Sequence, residues 1–218
     1  MRTRTITFLV GLLSLLAPAA AQAQTPYPET VSVMQAVLKG ELLAHARYVA
    51  YASKARDENY PRIAALALAL AASEGIHARN FQKVLMDLGA AAFAETPPVA
   101  VGDTRSNLHA ASTAELEEID TRYPGFIKRI APEKCEEAVS DLTHAWKAEK
   151  QHRDLITQLI SGSGIFFGVL ARTIEGMPVN YFICNRCGST VPEPELPKDA
   201  CPICAGPVSN YARVDTGT

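Results

Sequence analysis

Two copies of one spacing, Glu-x-x-His, constrain this chain more than any other feature of its 218 residues. Glu74 and His77 lie in "AASEGIHARN" (71–80), directly after "IAALALAL" (63–70), a run apolar enough to carry a helix into a core. Glu149 and His152 repeat the spacing in "KAEKQHRD" (147–154). Residues three apart share a helix face, so each pair can reach one metal ion. A single copy is a weak signal, because Glu-x-x-His also arises on solvated faces. Two copies on separate helices of one bundle are a much stronger signal for metal.

From Glu29 to about Ile160 the chain reads as helix. The first helix runs from Thr30 to Arg56 and is broken by "DENYP" at Pro61; the second continues to Leu88. "GAAAFAETPPVAVGDTRSN" (89–107) is a long loop. A third helix starts near Asn107 or Ser112 and is disturbed at "YPG" (123–125), and the fourth spans Pro132 to Ile160. Four helices with a long connection after the second describe a bundle with one crossover. Its two remaining helices each offer a carboxylate: Glu41 in "KGELLAHARYVAYA", and Glu115 and Glu118 in "STAELEEIDTRYPGF". One glutamate from each of two helices, plus Glu-x-x-His from each of the others, is the dinuclear carboxylate site of ferritin-like bundles.

The tail carries a second pattern, Cys184-x-x-Cys187 and Cys201-x-x-Cys204, with 13 residues between the pairs. Four thiolates at this spacing surround one tetrahedral metal, iron or zinc. Tyr181, Gly188 and the Cys-Pro-x-Cys form of the second pair look like rubredoxin, hence iron and one-electron transfer; a structural zinc ribbon is the alternative. Paired knuckles suit a metal better than two disulfides. The tail is too small to build a core without such a staple.

The N-terminus sets the compartment. Arg2 and Arg4, an apolar stretch from Ile6 to Leu16, and Ala21-Gln22-Ala23 form a signal peptide over residues 1–23, cleaved near Ala23 and giving a periplasmic or otherwise exported protein. The apolar stretch is too short for a stable membrane span. The expected domains are then a bundle over 24–162, a linker or short helix over 163–179, and the cysteine domain over 180–218. A formal charge of −2 offers no basic surface for nucleic acid. Hydrophobic residues at 48% supply a core for the bundle.

Over nearly all of the mature chain the sequence resembles the rubrerythrin family. "GELLAHARYVAYA", "SEGIHARNF", "VGDTRSNLHAASTAELEEIDTRYP" and "AEKQH" look like its four bundle helices, including the crossover. The resemblance implies a mostly α fold, a ferritin-like four-helix bundle followed by a small rubredoxin-like domain. It assigns diiron ligands to Glu41, Glu74, His77, Glu115, Glu118, Glu149 and His152, and a single iron to Cys184, Cys187, Cys201 and Cys204. Glu118 is the additional glutamate that competes with the first histidine for one iron. Tyr48 and Tyr123 match tyrosines beside the metals. The resemblance further implies reduction of hydrogen peroxide to water, an unidentified electron donor, and a homodimer in which one subunit's cysteine site serves the other's diiron site. A ferroxidase or iron-binding protein using oxygen is the competing activity, and a non-catalytic zinc protein the third.

The residue types suit that chemistry. Five ionised glutamates carry one charge more than a diferrous pair and one fewer than a diferric pair, so neither state strands a large buried charge. Oxygen donors favour iron or manganese. Other polar residues have plainer expectations. His45, His109 and His144 face solvent or cap local structure, with His45, one turn beyond Glu41, the one to watch. Glu117, Asp120, Glu136 and Glu137 form a solvated face. Cys135 is an unreactive, partly buried thiol, and Gly75 departs from good helix-forming sequence, admitting a close neighbour.

Overall fold

The computed structural model describes residues 26–92, 98–161 and 180–215. The signal peptide expected over 1–23 and the linker or short helix expected over 163–179 lie outside the described residues. Helix α1 (Pro28–Asp57) and α2 (Pro61–Asp87) form an antiparallel hairpin. Each begins with proline in its first turn, where the missing N–H costs nothing. Helix α3 (Thr104–Glu117) is capped by Asp103, whose side chain accepts from Ser106 N at 2.7 Å. That cap moves the helix start ahead of the expected Asn107 or Ser112.

The expected disturbance at Tyr123–Gly125 lies one turn earlier. Residues Glu118–Arg122 form a π turn, and α4 (Tyr123–Ile130) follows without a break. Tyr123 N bonds Glu118 O across the wide turn, and Pro124, the next residue, has no N–H for the Ile119 carbonyl. Trp146 Nε1 supplies the missing donor at 2.8 Å. Helix α5 (Glu136–Ser161) starts four residues after the expected Pro132, which instead sits in a 3₁₀ turn closed by Lys134 at φ 57°.

The tail is a three-stranded antiparallel sheet, order β2-β1-β3, with β1 Tyr181–Cys184, β2 Thr190–Pro192 and β3 Tyr211–Arg213. The buried apolar side chains of the bundle form two clusters. One, around Tyr48, Leu66, Leu70 and Ile156, also receives Tyr181 and Ile183 of the tail. The other holds Met34, Leu38, Phe81, Leu85, Tyr123, Ile130 and Leu142. The buried acids and histidines separate them. Among the described residues no helix is long and apolar enough to cross a membrane.

Candidate metal centres

Glu41 comes from α1, Glu74 and His77 from α2, Glu115 from α3, and Glu149 and His152 from α5, all at most 3% exposed. Their donor atoms fall into two sets, each within 4.8 Å: Glu41, Glu74, His77 and Glu149, and Glu74, Glu115, Glu149 and His152. Glu74 and Glu149 belong to both, the arrangement of two bridging carboxylates between two ions. His77 Nδ1 lies 3.1 Å from Glu74 and 3.0 Å from Glu149. His152 Nδ1 lies 3.3 Å from Glu74 and 2.8 Å from Glu149.

The chemistry of these donors fits cations. Glu41 Oε2, Glu115 Oε2 and Glu149 Oε1 are buried without a hydrogen bond. One proton on His77 Nδ1 cannot serve the three carboxylates around it, and an unmet buried acceptor costs about 1–3 kcal/mol or more. Protons compensate in the metal-free chain. Burial pushes Glu41 up to about 8. Burial, then Glu149 and Glu74, holds Glu115 well above the carboxylate range. Burial opposes charge on the histidines, yet Glu149 and Glu74 together outweigh it at His152, which rises to about 10. Burial opposes charge on Glu74 and Glu149 too, and the imidazoliums keep both below their usual value.

Tyrosines hold the two outer glutamates. Tyr48 OH donates to Glu115 Oε1, and Tyr123 OH to Glu41 Oε1. Burial, then the neighbouring carboxylates, raises both phenols well above their usual value, so they stay donors.

Of the seven expected bundle ligands, Glu118 is the one the structure leaves outside both sets. It pairs with Arg122 Nη1 at 3.2 Å, across the π turn that carries both. The two line a small cleft with Gly40, Glu41, Tyr123 and Phe126. A Cβ on Gly40 would stand in ordinary contact with Arg122 Nη2, at 3.4 Å. Burial, then Glu41 and Glu149, pushes Glu118 up, and Arg122 opposes them. A charged neighbour on the same turn thus diverts the carboxylate from the cluster.

The remaining polar residues stay clear of both sets. His45 Nδ1 bonds the Ala71 carbonyl at 2.7 Å, and a Cβ on Gly75 would lie 3.4 Å from that nitrogen. The close neighbour of Gly75 is therefore a side chain rather than a helix backbone, at a distance that a Cβ would tolerate. His109 is exposed, and His144 is half-buried. Glu117, Asp120, Glu136 and Glu137 are exposed, and Cys135 packs partly buried against the second apolar cluster.

In the tail, the four cysteines are buried together and none is in a disulfide. Cys184 and Cys204 sulfurs are 3.8 Å apart, Cys187 and Cys201 sulfurs 3.6 Å. A tetrahedron with metal–sulfur bonds of about 2.3 Å has edges of about 3.8 Å, so one ion fits. The two knuckles are equivalent turns: Gly188 N bonds Cys184 O and Ala205 N bonds Cys201 O, both at 2.9 Å. A hydrogen bond from Cys187 holds the Cys184 thiol down at about 5. Tyr211 OH donates to Cys201 Sγ at 3.3 Å.

The first knuckle rests on the bundle cluster of the same chain. His77 Nε2 is 3.2 Å from Cys187 O. Ser73 Oγ donates to Gly188 O at 2.6 Å and lies 3.0 Å from His152 Nε2. Thr190 Oγ1 donates to Gly188 O at 3.0 Å and lies 3.3 Å from the same imidazole nitrogen. Arg79 and Asn80 of α2 donate to the Asn185 and Arg186 carbonyls. In this single chain the knuckle thus meets the chain's own bundle cluster. Sequence reasoning missed Ser73, Thr190, Arg122, Trp146 and Tyr211. Only Trp146, the lone tryptophan of the chain, carried a signal that could have drawn attention.

Comparison with known proteins agrees with this architecture. The sequence profile described as Rubrerythrin matches residues 33–160. The chain is 30% identical to the rubrerythrin of Porphyromonas gingivalis over 181 residues, 81% of this chain and 86% of that one. It is 29% identical to rubrerythrin-2 of Clostridium acetobutylicum over 185 residues, covering 80% and 91%. A structure of nigerythrin in a mixed-valence state superposes with a TM-score of 0.70 at 26% identity, covering 91% of this chain and 90% of nigerythrin.

Proposed function

The chain belongs to the rubrerythrin family, and from that premise we propose that it is a peroxidase, reducing hydrogen peroxide to water with electrons passed through the cysteine site. As a member it is an oxidoreductase with a diiron centre in the bundle and a rubredoxin-like iron site in the tail. The observation that carries the proposal is the junction between the two: the Cys187 carbonyl stands 3.2 Å from a histidine of the bundle cluster.

Glu41 and His77 would hold one iron, Glu115 and His152 the other, with Glu74 and Glu149 between them. When bound, a ferrous pair supplies the two electrons that, with two protons, cleave the O–O bond and leave two waters. The protein's part is positional. Tyr123 and Tyr48 keep their protons and fix one oxygen each of Glu41 and Glu115, turning the other toward the cluster. The two apolar clusters exclude bulk water on either side. Peroxide approaches on the Glu41 side, through the cleft lined by Gly40, Arg122 and Phe126. Glu118 lines the same cleft and, released from Arg122, would be placed to supply a seventh ligand.

Rapid mixing of the reduced protein with peroxide and with oxygen, separately, tests this reading. Oxidation by peroxide is expected to be much the faster. Faster oxidation by oxygen, with iron accumulating beyond the bound ions, selects iron storage instead. Zinc at the cysteines and an empty bundle on metal analysis selects the non-catalytic reading. The proposal includes a homodimer and export after cleavage at Ala23. Turnover restored by mixing Cys184→Ala and Glu149→Ala chains identifies a knuckle exchanged between subunits; no restoration places the route within one chain. N-terminal sequencing of the secreted protein should begin at Gln24.

A further inference from the structure

Both imidazoles of the bundle cluster point Nδ1 at the carboxylates and Nε2 at the first cysteine knuckle. A carbonyl oxygen only accepts, so His77 Nε2 carries the hydrogen that meets Cys187 O at 3.2 Å. Ser73 spends its own hydrogen on Gly188 O at 2.6 Å, so its oxygen is left to accept from His152 Nε2 at 3.0 Å. Two successive carbonyls, Cys187 and Gly188, therefore fix one histidine each. The first is fixed directly and the second through a fully buried serine, which makes the shorter of two contacts to His152 Nε2, Thr190 Oγ1 making the other at 3.3 Å.

Gly188 is what allows this approach. Ala205 occupies the equivalent position of the second knuckle at φ 54°, so this turn accepts a side chain. At Gly188 a Cβ would lie 2.3 Å from His77 Nε2 and 2.6 Å from Ser73 Oγ. The glycine serves the contact with the bundle more than the turn itself.

We propose that Ser73 is a positioning residue for His152, and that metal occupancy of the cysteine site and of the bundle is linked through the Ser73–Gly188 contact. The inference rests on both clusters being metal sites. An ion held by the four cysteines orders the knuckle, the knuckle holds both imidazoles with Nδ1 free for a metal, and neither effect needs electron transfer. Hydrogen-bond partners behind a ligating histidine change metal affinity by about 10–100-fold. Linkage is reciprocal, so each site strengthens the other by the same factor.

The experiment titrates Mn²⁺, which prefers the oxygen-rich bundle, into the full chain with Zn²⁺ at the cysteines and again after anaerobic removal of the zinc. Mn²⁺ affinity should be about tenfold or more higher with zinc in place. Ser73→Ala should weaken Mn²⁺ binding in the zinc form and shrink the effect of zinc. Gly188→Ala, which changes no bundle residue but drives a Cβ against His77 and Ser73 and so parts the knuckle from the bundle, should shrink the effect of zinc in the same way, and decides the matter if Ser73→Ala does not fold. Equal Mn²⁺ affinity with and without zinc in the unaltered chain overturns the linkage while leaving the metal reading intact. So does an unchanged zinc effect in both variants. Failure of Mn²⁺ to bind in any form overturns both.

Discussion

The two metal regions are built in opposite ways. The cysteine site draws its four ligands from two tight turns 13 residues apart, and its geometry is local. The bundle site draws six side chains from four helices, with Glu41 and His152 separated by most of the folded chain. In the tail, an ion substitutes for a core the segment is too short to build. In the bundle, the core comes first, and ions make an acidic layer within it tolerable. The first region should fail without its metal, whereas the second should persist by taking up protons.

The largest effect is expected from removing a carboxylate common to both bundle sets. Glu149→Ala should abolish metal binding in the bundle while the cysteine site keeps its metal and its visible absorption, as metal analysis and absorption would show. Cys184→Ala should do the reverse. Loss of the tail metal should unfold the small sheet while circular dichroism shows the helical content of the bundle retained. A tail that keeps its protection from proteolysis without metal would contradict the proposed division of roles.

Acidity sharpens it further. In the metal-free chain Glu41 titrates at about 8 and His152 at about 10, both above their unfolded values. The folded state thus binds more protons than the unfolded one. Charging Glu41 penalises the fold as pH rises from about 4.5 toward 8. The stabilising charge on His152 is complete below about 6.5 and is lost as pH climbs through about 10. Chelated protein should therefore melt at lower temperature at about pH 9 than at about pH 6. Metal displaces those protons, so stabilisation by metal should grow over the same range.

Smaller effects are expected at the π turn. Arg122→Met removes the partner that holds Glu118 outside the cluster. It should raise Mn²⁺ affinity several-fold, and adding Glu118→Gln should cancel the gain. Trp146→Phe leaves the Ile119 carbonyl without its donor and should cost about 1–3 kcal/mol of stability, measured by chemical denaturation.

The legibility of the two regions differs for the same reason that their construction does. Cys-x-x-Cys is written in adjacent residues, and so is Glu-x-x-His, because one helical turn or one knuckle fixes the geometry. Glu41 and Glu115 were readable only after the bundle topology was assumed. Glu118 took its ligand role from the family resemblance. Its pairing with Arg122 was not legible, because a π turn is invisible to a period of 3.6. Ser73 and Thr190 were hidden for a deeper reason: they matter only where the tail meets the bundle, and no local pattern records that junction. The shifted starts of α3 and α5 are boundary effects, set by the Asp103 cap and the Lys134 turn.

The central claim is that peroxide reacts at the bundle and that the cysteine iron is oxidised only through it. The direct test is rapid mixing of fully reduced protein with peroxide while following the absorption of the cysteine iron, in the unaltered chain and in Glu149→Ala. Prompt oxidation of the cysteine iron is expected in the former and a site that stays reduced in the latter. Oxidation at the same rate in both would contradict it.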